Sequence, residues 1–149
     1  MQRYIVDTSI TAKLFLLNEK DRDIAQEIYY QSSKNKISLL APSLTLYELT
    51  NTFVKKGLSP EERSKHLSVF QKQIKERNIE IVPPTFPLLE KSAEIAETDT
   101  KGQGHVSAYD AVFHALALLK KAVLLTADKA HYRKTNEPIG SVLLLEDFK

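Results

Sequence analysis

The 149-residue sequence contains no cysteine, so it can form neither a disulfide nor a thiolate metal site. Any metal ion must therefore be held by oxygen or nitrogen ligands. No apolar run approaches the roughly 20 residues that a membrane-spanning helix needs. The N-terminal residues lack the apolar core of a secretory signal peptide and have the pattern of a strand instead. These absences together predict a cytoplasmic protein without a membrane segment.

The short motifs of several enzyme classes are also missing. There is no Gly-x-Ser-x-Gly elbow, no P-loop and no dinucleotide-binding glycine signature. A phosphoaspartyl enzyme of the haloacid-dehalogenase type needs a second aspartate two residues after Asp7, where this chain has Ser9. A response-regulator receiver needs an aspartate closing the third strand, where Val82 is followed by two prolines. A small phosphatase or receiver is therefore disfavoured, and a phosphoaspartyl adduct trapped by beryllofluoride would reveal one.

A large excess of one charge is absent as well. The formal net charge is +2, so overall charge does not indicate a nucleic-acid-binding protein. Basic side chains cluster locally, in the middle third of the chain and around Asp128. The middle cluster is interpreted as a solvated helix face balanced by glutamates. In the second cluster, Lys129, Arg133 and Lys134 are candidates for binding the phosphates of a polyanionic substrate.

What is present predicts one α/β domain over residues 1–149. The hydrophobic content of 42% is enough for a single core. Apolar runs predict five strands, at Tyr4–Val6, Ser38–Ala41, Ile79–Val82, Val123–Thr126 and Val142–Leu145. Helical patterns fill the intervals, at residues 10–17, 21–33, 44–56, 59–75, 87–97 and 107–121. Because four of the strands are apolar on both faces, we expect a mainly parallel sheet covered by helices on both sides.

Four acidic residues are predicted to meet at one edge of this sheet. Asp7 directly follows the first strand, and Asp128 follows the fourth by two residues. Glu48 lies one turn into the helix after the second strand, and Asp110 lies in the first turn of its helix. Ligands of parallel sheets bind outside the carboxyl ends of the strands. The four acids therefore fall on the functional edge, provided that their strands are neighbours.

The chemistry of these residues points to a shared cation. The helix that carries Asp110 is apolar on nearly every side, which predicts burial, and an unpaired buried carboxylate is costly. Four carboxylates packed together repel one another, and a divalent cation removes that conflict. Mg²⁺ and Mn²⁺ prefer hard oxygen ligands. A Mg²⁺ or Mn²⁺ site is predicted, at which a bound water becomes a nucleophile for a phosphodiester.

Each acid also has an ordinary structural interpretation. Asp7 can be a helix N-cap, Glu48 can face solvent, and Asp110 can favour the start of its helix electrostatically. Asp128 can cap a short stretch through Tyr132. Taken one at a time, these interpretations are as good as the functional ones. Their joint position on one sheet edge favours the metal site.

Two hydroxyl groups are candidates for supporting the acids. Thr126 is placed to orient Asp128 or to bind a metal water, and Ser9 is placed to do the same for Asp7. Asp99 lies in a polar loop and is left out of the site. His114 follows Asp110 by one helical turn and is interpreted as a core residue with a satisfied ring. Whether Asp99 or His114 contributes to the site is left open.

Four motifs in this order resemble those of the PIN-domain nucleases. They are Ile-Val-Asp-Thr-Ser at Asp7, Leu-Tyr-Glu-Leu-Thr-Asn at Glu48, Ser-Ala-Tyr-Asp-Ala at Asp110 and Leu-Leu-Thr-Ala-Asp at Asp128. Order, spacing and total length are most similar to the VapC-like toxins of toxin–antitoxin pairs. The resemblance implies a three-layer α/β/α sandwich around a parallel sheet of four to five strands, a homodimer, and an antitoxin that wraps over the active-site groove. It also implies that the four acids bind metal and catalyse, with Thr126 or Ser9 in support.

The sequence thus predicts a divalent-metal-dependent endoribonuclease that hydrolyses RNA phosphodiester bonds, as the toxin of a toxin–antitoxin pair. The expected cleavage site is a single-stranded or looped region of RNA, where the backbone is accessible. Two alternatives stay open. One is a catalytically inactive PIN-fold module that binds RNA or protein, and the other is a stand-alone RNA-processing nuclease.

Overall fold

The computed structural model describes all residues, 1–149, as an α/β fold around one parallel sheet. The five strands are β1 (Gln2–Val6), β2 (Ile37–Pro42), β3 (Glu80–Val82), β4 (Val123–Thr126) and β5 (Val142–Leu144). They lie in the order β3-β2-β1-β4-β5, and every neighbouring pair is parallel. The predicted mainly parallel sheet is confirmed, and β1, which precedes Asp7, occupies its centre.

Seven α-helices surround the sheet. They are α1 (Thr8–Thr11), α2 (Arg22–Ser33), α3 (Leu44–Lys55), α4 (Pro60–Lys75), α5 (Phe86–Ala96), α6 (Ala108–Lys120) and α7 (Lys129–Thr135). Two short 3₁₀ helices follow α1 and β5, at Ala12–Leu14 and Leu145–Asp147. No helix is both long enough and apolar enough to cross a lipid bilayer.

The strands divide their side chains between two cores, one on each face of the sheet. Val6, Leu39 and Leu125 pack in a core with residues of α2, α3 and α4. Ile5, Leu40 and Leu124 are the alternate residues of the same strands, and they pack in a core with residues of α5 and α6. This alternation follows from the two-residue period of a strand. The predicted three-layer α/β/α arrangement is confirmed.

Two helix boundaries differ from the sequence prediction. The first helix was predicted over residues 10–17, but α1 ends at Thr11 and one 3₁₀ turn follows. The chain then turns, so that Phe15 packs against Phe53 and Phe70 of the core. The helix after Asp128 was expected only as a capped stretch through Tyr132, whereas α7 continues to Thr135.

Candidate active site

The four acidic residues lie around one pocket of about 420 Å³ at the carboxyl edge of the sheet. Asp7 follows β1, Glu48 is in α3, Asp110 is in the first turn of α6, and Asp128 is the N-cap of α7 directly beyond β4. They meet because β1 is flanked by β2 and β4, so that three adjacent strands deliver three of the four residues. The condition that the strands be neighbours is therefore fulfilled.

Asp7 is held by side chains from two other segments. Thr126 Oγ1 donates a hydrogen bond of 2.8 Å to Asp7 Oδ2, and Ser9 Oγ donates one of 3.1 Å to the same oxygen. The Asp7 side chain makes no capping bond to α1. Its other oxygen, Oδ1, receives no hydrogen bond from the protein. The side chain is thus oriented by one oxygen and offers the other to a ligand.

Burial raises the pKa of Asp7 above its ordinary value of 3.8. The hydrogen bonds from Thr126 and Ser9 act in the opposite direction, and nearby Asp128 raises the pKa further. None of the four acids forms a salt bridge. No cationic side chain of the protein therefore pairs directly with any of the four carboxylates.

Glu48 is partly buried rather than simply solvent-exposed. Thr8 Oγ1 donates a 2.8 Å hydrogen bond to Glu48 Oε1 and thereby fixes the side chain toward α1. Burial raises the pKa of Glu48, and the charges of Asp7 and Asp110 raise it further. Glu48 therefore belongs electrostatically to the same group as the two aspartates.

Thr126 connects two of the acids. Its hydroxyl donates to Asp7 and accepts a 3.0 Å hydrogen bond from the backbone N–H of Asp128. Asp128 Oδ1 in turn accepts hydrogen bonds from the N–H groups of Ala130 and His131, at 2.9 and 3.1 Å, which is an N-cap of α7. Thr126 is fully buried, so these positions are fixed from inside the protein. Asp128 is both a cap and a wall of the pocket.

Asp110 corrects one expectation. Its helix is largely buried, from Ala111 through Ala117, but the Asp110 side chain is exposed. The reason is that the first turn of α6 extends past the packed core, since Tyr109 beside it is 71% exposed. Ser107, not Asp110, caps this helix by accepting a 3.1 Å hydrogen bond from the Asp110 N–H. Asp110 therefore reaches the pocket from the solvent side.

A buried pair of histidines lies beneath the acids, and sequence reasoning missed the pairing. His114 Nε2 lies 2.7 Å from the carbonyl oxygen of Gly140, so this nitrogen carries a proton and donates. Its Nδ1 lies 3.1 Å from His131 Nε2, which must then be the donor when both rings are neutral. The pair joins α6, which carries Asp110, to α7, which is capped by Asp128. His114 is, as expected, a core residue with a satisfied ring.

Both histidines are kept neutral by their surroundings. Burial lowers the pKa of His114 to about 4, although the hydrogen bond to Gly140 opposes the shift. Burial also lowers the pKa of His131, against the attraction of Asp7, Asp110 and Asp128. Only the spatial contact between α6 and α7 reveals this pair, because 17 residues separate the two rings in sequence.

The predicted phosphate-binding cations do not line the pocket. Lys129 lies 3.6 Å from Glu146, Lys134 donates to the carbonyl oxygen of His105, and Arg133 is on the exposed side of α7. The lysines that do line the pocket are Lys13, Lys55 and Lys56. Asp99 also lies outside the pocket, where it accepts a hydrogen bond from the Lys101 N–H.

The donor set suits a hard divalent cation, although no three acidic or histidine side chains lie close enough together to form a closed metal site. Mg²⁺ usually retains several waters and takes one or two carboxylates directly. Carboxylates spread around an open pocket, with the unpartnered Oδ1 of Asp7 among them, are compatible with that mode of binding.

Comparison with known proteins places this sequence in a family. The family model of the PIN domain matches residues 4–137. No curated protein matches the sequence. Several solved structures share the fold at low sequence identity. VapBC2 from Rickettsia felis, bound to a DNA fragment from its promoter, is similar with 17% identity and a TM-score of 0.68, covering 96% of this chain and 97% of that chain.

Two further structures are similar over comparable lengths. DNA-bound VapBC from Salmonella typhimurium shares 20% identity with a TM-score of 0.68, covering 97% of this chain and 99% of that chain. VapC20 from Mycobacterium tuberculosis, described as a toxin that cleaves the sarcin–ricin loop, shares 14% identity with a TM-score of 0.65, covering 92% and 97%. The likeness confirms the fold, and the family match begins within β1 and ends two residues after α7. The chain belongs to the PIN domain family.

Proposed function

We propose that this protein is a divalent-metal-dependent endoribonuclease that hydrolyses RNA phosphodiester bonds, acting as the toxin of a toxin–antitoxin pair. One observation carries the proposal: four carboxylates from four separate elements line one pocket at the carboxyl edge of a PIN-domain sheet. No lysine, arginine or histidine forms a salt bridge to them. Carboxylates gathered without a direct cationic partner repel one another, and a bound cation removes that repulsion.

In this proposal Asp7, Glu48, Asp110 and Asp128 hold Mg²⁺ or Mn²⁺. The cation supplies Lewis acidity, which lowers the pKa of a bound water and polarises a phosphoryl oxygen. Thr126 and Ser9 are positioning residues, because both donate to Asp7 Oδ2 and leave Oδ1 for the cation. Asp110 is exposed and presents its carboxylate from the solvent side, where a substrate strand enters.

The partners proposed are RNA, an antitoxin and a second copy of the chain. The similar VapC20 is described as a toxin that cleaves the sarcin–ricin loop, which supports the proposal of an RNA-cleaving toxin. The similar VapBC structures support an antitoxin. A larger groove of about 760 Å³ adjoins the acidic pocket and shares Leu16, Glu19 and Lys56 with it. Apolar side chains such as Leu14 and Leu58 line this groove, which suits an antitoxin segment that continues over the acids.

The test is cleavage of a structured RNA by the purified protein with Mg²⁺ or Mn²⁺. We expect Asp7→Asn and Asp110→Asn each to reduce the cleavage rate by at least about 100-fold, because each removes a metal ligand. Asp99→Asn is the matched control, since Asp99 is an exposed acid outside the pocket. Thr126→Val is expected to reduce the cleavage rate by roughly 10–100-fold, because Asp7 loses the hydrogen bond that orients its carboxylate.

Two results would contradict the proposal. If Asp7→Asn and Asp110→Asn cleave as fast as the parent, the pocket is not the active site. If the parent itself does not cleave RNA with either metal but still binds RNA or a protein, the chain is a binding module. Circular dichroism of each variant shows that loss of activity is not loss of fold.

A further inference from the structure

The acidic pocket has a second wall of opposite charge, formed by Lys13, Lys55 and Lys56. Resting on the proposed function, we infer that this basic wall binds the backbone phosphates of the RNA strand beside the bond that is cut. Its occupant is a single-stranded polyphosphate, and the side chain of Glu19 competes with that occupant for the same lysines.

The geometry of α3 connects the two walls. Glu48, Asn51, Thr52 and Lys55 all line the pocket, and they are spaced at three- and four-residue intervals. Such residues share one face of a helix. From Glu48 to Lys55 this face extends about 10 Å along the helix axis. A ligand that meets both walls must therefore span about 10 Å, which successive phosphates of a polynucleotide strand do and a single phosphate group does not.

Two lysines of this wall, Lys13 and Lys56, are held by contacts with neighbouring groups, but none of the three pairs with an acid of the site. Lys13 is only 13% exposed, and its Nζ donates a 2.8 Å hydrogen bond to the carbonyl oxygen of Lys20. No lysine of the wall forms a salt bridge to Asp7, Glu48, Asp110 or Asp128. Lys55 forms no salt bridge at all. The wall therefore keeps positive charge available beside the carboxylates.

Glu19 is the one acid that the basic wall contacts. Its carboxylate lies 3.8 Å from Lys13 Nζ and 3.6 Å from Lys56 Nζ. Ion pairs this long, between partly exposed groups, are weak. A phosphate can replace the Glu19 carboxylate between the same two ammonium groups. In the absence of RNA, Glu19 thus stands where a substrate phosphate would bind.

The cations of α7 provide a matched comparison, because the sequence pattern favoured them and the structure does not place them in the pocket. Lys129 pairs with Glu146 at 3.6 Å, the same separation as Lys56 and Glu19. The two sets therefore differ in position relative to the pocket rather than in the kind of contact they make. RNA binding by variants of each set shows whether the lysines of the pocket or the cations of α7 bind the phosphates.

The experiment measures binding without cleavage. The affinity of a short fluorescent single-stranded RNA is determined over a series of salt concentrations, in metal-free buffer and in the Asp110→Asn background. Each of Lys13→Gln, Lys55→Gln and Lys56→Gln is expected to lower the slope of log affinity against log salt by about 0.7, which is about fivefold in Kd at 0.1 M salt. Glu19→Gln is expected to tighten binding.

The triple variant Lys129→Gln, Arg133→Gln, Lys134→Gln is expected to change neither slope nor affinity. The inference is overturned if the α7 variant loses the salt dependence instead, or if Lys55→Gln, an exposed site whose change cannot unfold the protein, binds RNA like the background. Unchanged or weaker binding by Glu19→Gln overturns the competition by Glu19.

A parent that never cleaves RNA, but whose RNA binding depends on the basic wall, refutes the proposed activity and leaves this inference standing. If the parent cleaves RNA and the variants of the basic wall bind RNA normally, the proposed activity stands and this inference is refuted.

Discussion

Asp7 is an acidic residue whose ionised form is disfavoured by its surroundings. It lies at the end of the central strand, burial raises its pKa, and no cation of the protein pairs with it. Because the pKa of Asp7 is higher in the folded protein than in the unfolded chain, the folded protein binds the proton of this carboxyl group more tightly. Ionised Asp7 therefore destabilises the metal-free fold, in the way that functional residues often do.

We expect Asp7→Asn to raise the thermal stability of the metal-free protein at neutral pH, because asparagine resembles the protonated acid. The gain over the parent should appear as the pH rises above about 3.8, the pKa in the unfolded chain, and disappear below it. Melting curves in a chelator across this pH range measure the effect. A lower Tm for the variant at neutral pH would mean that the carboxylate is not a source of instability.

The roles of single residues could be predicted only in part. Asp7 and Asp128 were placed correctly at the pocket because a residue just beyond a parallel strand must lie at the carboxyl edge. The exposure of Asp110 could not be predicted, since it depends on how far α6 extends past the core. The His114–His131 pair and the basic wall arise from contacts between distant segments, which no local pattern encodes.

Among the helices, the boundary of α6 shows how local sequence and stability are related. The helix begins at a Ser107 cap with the usual β-region backbone. It ends at Lys121, whose φ of 52° and ψ of 49° are left-handed. A lysine in this conformation is strained, and glycine is the residue that helices commonly use there.

We expect Lys121→Gly to stabilise the protein by roughly 0.5–1 kcal/mol, which raises Tm by about 1–4 °C. Lys120→Gly is the matched control, because Lys120 is helical and glycine costs about 1 kcal/mol there. Urea unfolding of the two variants measures the difference. Equal destabilisation by both changes would show that the left-handed conformation of Lys121 carries no strain.

Most of the elements themselves were predictable from the sequence. The five strands coincide with the apolar runs within about two residues, and the capping box at Ser59 and Glu62 marks the start of α4. The end of α1 was predicted too late because Leu14, Phe15 and Leu16 fit a helical pattern but are used to reach the core across a turn. Tertiary packing overrides local pattern at such places.

For the whole molecule, the strand order decides what the acids can do together. Only an arrangement with β1 between β2 and β4 brings Asp7, Glu48 and Asp128 to one pocket. The sequence predicted a mainly parallel sheet, but the order of its strands had to be assumed. That order turns four separately ordinary acids into one group of carboxylates without a direct cationic partner.

We expect millimolar Mn²⁺ to raise the Tm of the parent protein, because a ligand that binds only the folded state stabilises it. At a concentration 100 times Kd the gain is about 2.7 kcal/mol, or roughly 5–10 °C for a chain of this size. Asp7→Asn should show a much smaller shift. An equal shift in that variant, or none in the parent, would contradict a metal site at these carboxylates.

The hydroxyl of Thr126 has a consequence for biosynthesis. It is the group that ties Asp7 to Asp128, and it comes from a strand that the ribosome delivers only after most of the chain has emerged. Until β4 inserts beside β1, the central strand has an open edge, Asp7 lacks its shortest hydrogen bond, and the last acid is not yet in place. A nascent or truncated chain that lacks β4 therefore lacks Asp128 and the Thr126 hydrogen bond to Asp7, and the acidic pocket is complete only after β4 has paired with β1.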